Sequence, residues 1–154
     1  MNRAGQKATL IQLNVSDGGM PKLPVMFAQV TKDGITGDRQ RNLKYHGGSD
    51  RAVCLFSVEL YEWLRTQGVD LSYGTVGENF TTRGIDLDAL VKGDQLQVGD
   101  CVIELTDIRI PCTNLNHFAS DLKRIIKGHS GWVAKVIVEA TVKPGDAIRL
   151  IGRR

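Results

Sequence analysis

The sequence has few cysteines and no long apolar run, and each shortage excludes a class of protein. Three cysteines, at positions 54, 101 and 112, are an odd number at wide spacing, which argues against a disulfide framework and favours a reducing compartment. No window approaches the run of about 18 apolar residues that a transmembrane helix needs. The N-terminus has no apolar core for a secretion signal. We therefore expect a cytoplasmic protein that makes no membrane contact.

The chain also has only a small excess of charge of one sign. Twenty basic residues against 17 acidic ones give a net charge of +3, and the basic residues are scattered along the chain among the acidic ones. Nucleic-acid-binding proteins usually concentrate basic residues on one face, so we expect no nucleic-acid partner. The chain also lacks repeats and Pro/Ser-rich linkers that would mark a domain boundary. We predict a single domain over residues 1–154.

Glycine is the residue in excess, with 17 among 154 residues, and this favours turns over long helices. Short β-branched or alternating runs, bounded by Gly, Asp or Pro, predict strands. These runs cover residues 7–15, 25–30, 51–56, 95–98, 102–108, 132–142 and 147–151. Gly99-Asp100 is typical of a hairpin turn between two of them.

Two segments have helical spacing instead. Ser57 is a typical N-cap, Gly68 is a typical stop, and the apolar face between them consists of Leu60, Tyr61, Trp63 and Leu64. A second helix is predicted from about residue 116 to residue 127, with an apolar face of Phe118, Leu122, Ile125 and Ile126. Many strands and two helices predict a mainly β fold, a mixed or antiparallel β-barrel with two peripheral helices.

One loop combines glycine with positive charge. Residues 37–51, GDRQRNLKYHGGSDR, can offer backbone amides and cations to an anion. His46 precedes Gly47-Gly48, so an imidazole would lie beside backbone that a flat or phosphorylated ligand can approach closely. A polar turn whose glycines take positive φ explains the same residues, and for this segment alone it is the more frequent case.

Two further segments could carry chemistry. Glu78-Asn79 can orient a polar ligand through a carboxylate and an amide, although the same pair is common at turns. Pro111 ends an apolar strand and leaves Cys112 in a loop near Arg109. A nearby cation favours the thiolate, the form that binds metals and attacks electrophiles. The alternative interpretation, to which we give equal weight, is that Cys112 is buried in the core.

Other sites lack their usual motifs. Cys54 lies in an apolar run and Cys101 begins a strand, so both are predicted to be small core residues. The absence of C-x-x-C and of paired spacing among His46, His117 and His129 argues against a zinc site. The sequence also has no P-loop, no G-x-S-x-G and no G-x-G-x-x-G that opens a helix after a strand.

Taken in order, these segments resemble the MOSC domain, the family named after the C-terminal domain of molybdenum cofactor sulfurases. The matching motifs span most of the chain. They are Gly37-Asp38, Lys44-Tyr45-His46-Gly47-Gly48 with Asp50-Arg51-Ala52-Val53, Gly77-Glu78-Asn79-Phe80, Val98-Gly99-Asp100, Arg109-Ile110-Pro111-Cys112, Ser130-Gly131-Trp132 and Gly145-Asp146. The short, standalone form of the family is the best match, and the resemblance implies a β-rich barrel.

The resemblance also implies a cofactor. It implies binding of the molybdenum cofactor, molybdopterin, whose dithiolene holds the metal, with Cys112 as the metal ligand or the sulfur-carrying thiol. The residues implied as cofactor contacts are Arg109, Asn79, His46, Gly47, Gly48 and Arg51. In reductase members of the family, reduced molybdenum takes oxygen from an N-hydroxylated base or an amidoxime, and the protein positions the cofactor. A thiolate is a soft donor suited to molybdenum, and a group of cations suits the pterin phosphate.

Three functions remain open at this point. The leading one is a molybdenum-cofactor-dependent reductase of small N-hydroxylated compounds, which needs a separate electron donor because no flavin, haem or iron–sulfur segment is recognisable. The second is a sulfur carrier that receives a Cys112 persulfide from a cysteine desulfurase. The third is a non-catalytic module that delivers the cofactor.

Two departures from larger family members limit these functions. No aminotransferase-like domain is present to carry pyridoxal phosphate, so we expect no sulfur mobilisation from cysteine by this chain alone. The extra N-terminal β-rich domain of the mitochondrial amidoxime-reducing proteins is also absent. A partner copy in a homodimer is one way to complete the cofactor pocket.

Overall fold

The computed structural model describes residues 7–39 and 49–152. Within these ranges the strands are β1 (Thr9–Val15), β2 (Leu23–Val25), β3 (Ala28–Thr31), β4 (Gly34–Ile35), β5 (Val53–Ser57), β6 (Phe80–Arg83), β7 (Gln95–Val98), β8 (Cys101–Ile108), β9 (Trp132–Val138), β10 (Ala140–Val142) and β11 (Ile148–Gly152). The helices are α1 (Val58–Thr66) and α2 (Leu122–Ile125), and 3-10 turns lie at Ser49–Arg51, Leu87–Ala89 and Thr113–His117.

The described strands form two sheets. The larger one has the order β11-β7-β8-β9-β5-β6-β1-β2, and the smaller one has the order β10-β3-β4. The sheet is mixed, because β5 and β6 run parallel with Leu55 opposite Phe80, whereas the neighbouring pairs β1–β6 and β5–β9 are antiparallel. A parallel pair needs a crossover, and α1 lies in the connection between these two strands. The mainly β prediction is confirmed.

The predicted closure into a barrel is wrong, because the larger sheet ends in two edges, β11 and β2. The start of β1 and the segment that leads into β11 nevertheless exchange backbone hydrogen bonds. The amide of Leu10 donates to the carbonyl of Asp146 over 2.9 Å, and the amide of Ile148 donates to the carbonyl of Ala8 over the same distance. The partner of the last part of β1 is instead β2, so the ladder does not continue around the sheet.

Most of the predicted strands are present, with two of them divided. Val98 pairs with Cys101 across Gly99-Asp100, which confirms the predicted hairpin turn. The run predicted at residues 132–142 is divided into β9 in the larger sheet and β10 in the smaller one. The run predicted at 25–30 is divided in the same way between β2 and β3. Each of these two apolar runs therefore contributes a strand to both sheets.

The first predicted helix is confirmed and the second is wrong in extent. The side chain of Ser57 accepts a hydrogen bond of 3.0 Å from the Leu60 amide and so caps α1 as predicted. Residues 116–127 do not form one helix, because Asp121 takes a left-handed conformation with φ of 62°. That conformation interrupts a right-handed helix, so a 3-10 turn and the short α2 replace it.

Buried apolar side chains from the larger sheet, from α1, from the 3-10 turn Thr113–His117 and from α2 form the core. The largest are Leu10, Leu13, Leu55, Phe56, Tyr61, Leu64, Phe80, Leu96, Ile103, Leu105, Leu115 and Leu122. Cys101 is fully buried among them, as predicted, and burial raises the pKa of its thiol to about 12. No helix in the described parts of the chain has the length and apolar character needed to cross a membrane.

Candidate functional site

A group of buried polar side chains interrupts this apolar core. We call it the polar cluster, and its members are Asn14, Lys22, Asp38, Glu78, Asn79 and Thr81. Buried polar groups destabilise a fold unless their hydrogen bonds are satisfied, so such a cluster requires an internal network. The network connects β1, β5 and β6 to the residues just before β2 and just after β4, which carry Lys22 and Asp38.

Asn79 is at the centre of the polar cluster. Its side-chain oxygen accepts a hydrogen bond of 2.9 Å from the Cys54 amide, and its backbone amide donates to the Cys54 carbonyl over 2.8 Å. Its Nδ2 donates to the Asn14 carbonyl over 3.2 Å and to Asp38 Oδ2 over 3.0 Å. The amide is therefore engaged by protein groups and fixes β5 against β1. Direct contact between Asn79 and a cofactor stays a prediction.

The Asp38 carboxylate that accepts from Asn79 belongs to a buried ion pair. Lys22 Nζ lies 2.6 Å from Asp38 Oδ1, and the two side chains are 4% and 3% exposed. The same carboxylate oxygen accepts a hydrogen bond of 2.9 Å from the Ser16 amide. Because Asp38 also accepts from Asn79, the ion pair holds that amide in place. The sequence contains no pattern that would have identified Lys22.

Removal of Lys22 takes a close cation away from a buried carboxylate. We expect Lys22→Met to lower the free energy of unfolding by about 3 kcal/mol, because Asp38 then loses the ammonium group that lies 2.6 Å from it. Denaturant unfolding measures the loss. Arg65→Met is the matched control, because the Arg65–Asp70 pair is 51% and 83% exposed, and we expect a change within about 0.5 kcal/mol there. Equal losses in the two variants would contradict the burial of the Lys22–Asp38 pair.

Glu78 carries the buried carboxyl of the polar cluster. Tyr61 donates a hydrogen bond of 2.8 Å to one carboxyl oxygen, and Thr81 donates one of 2.9 Å to the other. Burial raises the pKa of Glu78 to about 7, and these hydrogen bonds oppose that rise only in part. Burial and the adjacent Glu78 also raise the pKa of the Tyr61 hydroxyl, which therefore stays protonated.

The raised pKa of Glu78 predicts a pH-dependent stability. The folded state binds this proton more tightly than the unfolded state, so the resulting stability is complete below about pH 4.5 and is lost as the pH rises to about 7. The loss should be on the order of 3 kcal/mol. Glu78→Gln is neutral at every pH and should lack this component. Unfolding measured across that pH range tests it, and a difference between the two proteins that does not vary with pH would contradict it.

Arg109 follows β8, and its guanidinium is directed toward the polar cluster. Its Nη2 donates to the Val76 carbonyl, whereas its Nη1 is buried and has no hydrogen-bond partner among the described residues. The backbone of Arg109 is held on both sides, because its amide donates to the Gly131 carbonyl over 3.0 Å and its carbonyl accepts from the Ser130 hydroxyl. A buried donor without an acceptor is available to a ligand.

Cys112 lies in a loop just before the 3-10 turn that begins at Thr113, as the position of Pro111 predicted. Its side chain is partly buried, and it makes no capping hydrogen bond to that turn. Its carbonyl accepts a hydrogen bond of 3.1 Å from the Leu115 amide, so the backbone is anchored. The thiol is therefore carried by an ordered segment three residues after Arg109.

Cys54 was predicted to be a core residue, but the structure leaves part of its side chain exposed. It is partly buried, whereas its neighbours Val53 and Leu55 are fully buried on the other face of β5. Burial raises the pKa of the Cys54 thiol, and the positive charge of Arg109 opposes that rise. Alternation of faces along β5 could not have identified Cys54, because Phe56 on the same face is fully buried.

The other predicted contacts lie in an exposed turn or outside the described residues. Arg51 ends an exposed 3-10 turn, and His46, Gly47 and Gly48 lie outside the described residues. Within the described ranges, no group of three or more His, Cys, Asp or Glu side chains could hold a metal ion. The arrangement therefore places the Cys54 thiol within the influence of the Arg109 guanidinium, and Cys112 follows Arg109 by three residues in the chain.

Comparison with known proteins identifies similar chains. The model of the MOSC domain family matches residues 42–149. The uncharacterized protein YflK of Bacillus subtilis (strain 168) is 30% identical over 141 residues, which cover 88% of this chain and 64% of that protein. Protein YiiM of Escherichia coli (strain K12) is 33% identical over 132 residues, which cover 80% and 59%. The chain thus spans less than two thirds of the length of both relatives.

Solved structures show the same fold. YiiM from Geobacillus stearothermophilus matches with a TM-score of 0.77 and 26% identity over 95% of this chain and 76% of that one. YiiM from Escherichia coli has a TM-score of 0.76 and 23% identity, with 97% and 72% covered. The YUAD protein from Bacillus subtilis has a TM-score of 0.81 and 20% identity, with 93% and 94% covered.

Proposed function

The chain belongs to the MOSC domain family, and on this premise we propose that it binds the molybdenum cofactor and reduces small N-hydroxylated compounds, with Cys112 as the metal ligand. The observation that carries the proposal is the segment after β8. It holds a guanidinium with a buried Nη1 that lacks a hydrogen-bond partner among the described residues, and a partly exposed thiol three residues later.

The donors in this segment fit the cofactor. A thiolate is a soft donor for molybdenum, and the planar guanidinium of Arg109 can bind phosphate or a pterin oxygen through two N–H groups. The unsatisfied Nη1 destabilises the free protein, and a ligand oxygen would remove that cost.

The residues of the chain have separable tasks in this proposal. Arg109 binds the anionic part of the cofactor, Cys112 holds the metal, and Ser130 and Gly131 fix the backbone of Arg109 between them. Asn79 keeps β5 and β1 in register beside the site. His46, Gly47, Gly48 and Arg51 remain proposed contacts to the cofactor.

The overall reaction consumes an N-hydroxylated compound, two electrons and two protons, and it yields the amine and water. When bound, the molybdenum cofactor would supply oxygen-atom transfer, in which the oxygen leaves the substrate and the substrate gains two electrons. We propose a separate reductase as the electron donor, since the sequence contains no recognisable flavin, haem or iron–sulfur segment. A homodimer partner remains one way to complete the pocket.

A sulfur carrier is the second candidate, and the partial exposure of Cys112 favours it. A thiol that a cysteine desulfurase can reach is able to accept a persulfide. The two candidates differ in what the thiol carries, a metal or a sulfur atom. A delivery module would bind the cofactor without turnover and pass it to an apo-enzyme.

The test is the molybdenum and pterin content per chain after expression in a cofactor-producing host, followed by reduction of a hydroxylamino base with an artificial electron donor. We expect near-stoichiometric cofactor and turnover that depends on the metal. Turnover by a metal-free preparation, or a folded chain that never acquires cofactor, would overturn the proposal. A mass gain of one sulfur on Cys112 beside a competent desulfurase would then support the carrier.

A further inference from the structure

A hydrogen-bonded path connects the buried carboxyl of Glu78 to the guanidinium of Arg109. The hydroxyl of Tyr61 donates to Glu78 Oε1 over 2.8 Å, and the Val76 amide donates to the oxygen of that hydroxyl over 3.4 Å. The carbonyl of the same residue, Val76, accepts from Arg109 Nη2. Glu78 and Val76 are 0% exposed and Tyr61 is 1% exposed, so water does not compete for these bonds.

We propose that Glu78 and Tyr61 are positioning residues for Arg109, which they hold through Val76 in the orientation that binds an anionic ligand. Neither residue touches the ligand itself. This inference deepens the proposed function, and it rests on that function for the identity of the ligand. The coupling between Glu78 and Arg109 is a property of the chain alone.

The local geometry explains why Val76 can transmit an orientation. It lies in a turn closed by the Gly77 amide, which donates to the Gly74 carbonyl over 3.0 Å. The Tyr61 hydroxyl ties the middle of this turn to α1. A Cβ atom at Gly77 would lie 3.1 Å from Arg109 Nη2 and 2.9 Å from Met20, so the turn packs directly against the guanidinium. A displaced turn therefore displaces Arg109.

The protonation state of Glu78 changes this path. A carboxylate accepts the hydrogen bonds from the Tyr61 and Thr81 hydroxyls and those from the backbone amides of Gly74 and of Glu78 itself. A protonated carboxyl must donate one instead, so the Tyr61 or Thr81 hydroxyl that receives this proton has to turn its own proton away from Glu78. The Tyr61 oxygen also accepts from Val76, and the Thr81 oxygen accepts from Asn14 over 3.0 Å, so this rotation disturbs a neighbouring bond. Protonation thus displaces an existing hydrogen bond. Where the displaced bond is the one from Tyr61, the bond between the Val76 amide and the Tyr61 hydroxyl is weakened.

The pKa of Glu78, which burial raises to about 7, means that both forms are populated near neutral pH. The titratable groups that face this region are Tyr61 from α1, Cys54 from β5 and Arg109 from the segment after β8. The Lys22–Asp38 pair acts on Cys54 from the β1–β2 side. We expect Arg109 to be more strongly ordered above that pKa than below it.

Two substitutions distinguish the effect of breaking the path to Val76 from the effect of losing any one hydrogen bond to Glu78. Tyr61→Phe removes the hydroxyl that connects Glu78 to Val76. Thr81→Val is the matched control, because it removes a hydrogen bond of nearly equal length to the other oxygen of the same carboxyl. Among the described residues the Thr81 hydroxyl is hydrogen-bonded to Asn14 and Glu78 and not to Val76, so the control leaves the hydrogen bonds from Val76 to Tyr61 and Arg109 in place.

The test is nuclear magnetic resonance of cofactor-free protein labelled with 15N-arginine, with Arg109→Lys to assign the signal. We expect separate Nη signals, which report restricted rotation of the guanidinium, at about one pH unit above the pKa of Glu78 and merged signals about one unit below it. Thr81→Val should keep this difference, Glu78→Gln should lose it, and Tyr61→Phe should show merged signals at both pH values. Separate signals in folded Tyr61→Phe, or no pH difference in the unsubstituted chain, would overturn the proposal.

A second readout keeps this inference separate from the proposed function. Tyr61→Phe should retain about fivefold less molybdenum per chain than Thr81→Val, because one net hydrogen bond to the ligand-binding conformation is lost. If the resonance result holds and no variant acquires cofactor, the proposed function fails and the positioning path stands. If the two variants retain equal molybdenum, the path does not serve ligand binding.

Discussion

Replacement of Cys112 by serine is expected to abolish molybdenum retention while the fold is preserved. Serine has nearly the same size, but its hydroxyl is a hard and largely protonated donor, whereas the thiolate is a soft and charged one. The Cys112 side chain is partly exposed and makes no capping hydrogen bond, so little packing depends on it. The measurement is molybdenum per chain by elemental analysis, with thermal unfolding on the same samples.

Cys101→Ala provides the control for this prediction. Cys101 is a buried thiol of the core, so its truncation should lower stability by about 1 kcal/mol and leave the molybdenum content unchanged. The reverse result, in which Cys112→Ser unfolds the protein and Cys101→Ala loses the metal, would assign Cys112 to the core. Intact metal in folded Cys112→Ser would remove Cys112 from the metal site.

Gly131→Ala is expected to have the largest effect on folding. Gly131 has φ of +82°, and a Cβ atom there would lie 1.9 Å from the Leu55 carbonyl oxygen. The clash is with backbone at the β5–β9 pairing, where Leu55 lies opposite Trp132, so it cannot be relieved by a side-chain rotation. We expect a loss on the order of 4 kcal/mol or more, measured by denaturant unfolding.

The same substitution should also disturb Arg109, because the Gly131 carbonyl accepts the Arg109 amide. Gly145→Ala is the matched control, since Gly145 also has a positive φ, of 96°, but nothing lies within 4 Å of the added Cβ. That change should cost only the backbone strain, about 1 kcal/mol. Similar losses in both variants would show that the conformation of the backbone, and not the close approach to Leu55, determines the effect.

Much of the candidate site could be predicted from short segments. Pro111 indicated that Cys112 follows a strand end, and Arg109 was expected close to it in space; the structure confirms the loop position of the thiol. The roles of these residues toward a cofactor remain predictions. The buried carboxyl of Glu78 was part of a recognised segment, but its hydrogen bonds to Tyr61 and Thr81 depend on how α1 packs against β6.

The sequence by itself determined the features that neighbouring residues encode. These are the mainly β character, the Ser57 cap of α1, the hairpin turn at Gly99-Asp100 and the family, whose motifs recur in order along the chain. Each depends on side-chain alternation, turn chemistry or capping within a few residues.

Only the tertiary structure decided the environment of the site. Asn79 is 25 residues from Cys54 and 41 from Asp38 in sequence, and Lys22 is 16 from Asp38, yet these groups bond to one another. The pKa of Glu78 and the face on which Cys54 lies follow from this packing. Burial and charge pairing join segments that are far apart in the chain, and local sequence patterns carry no record of such distances.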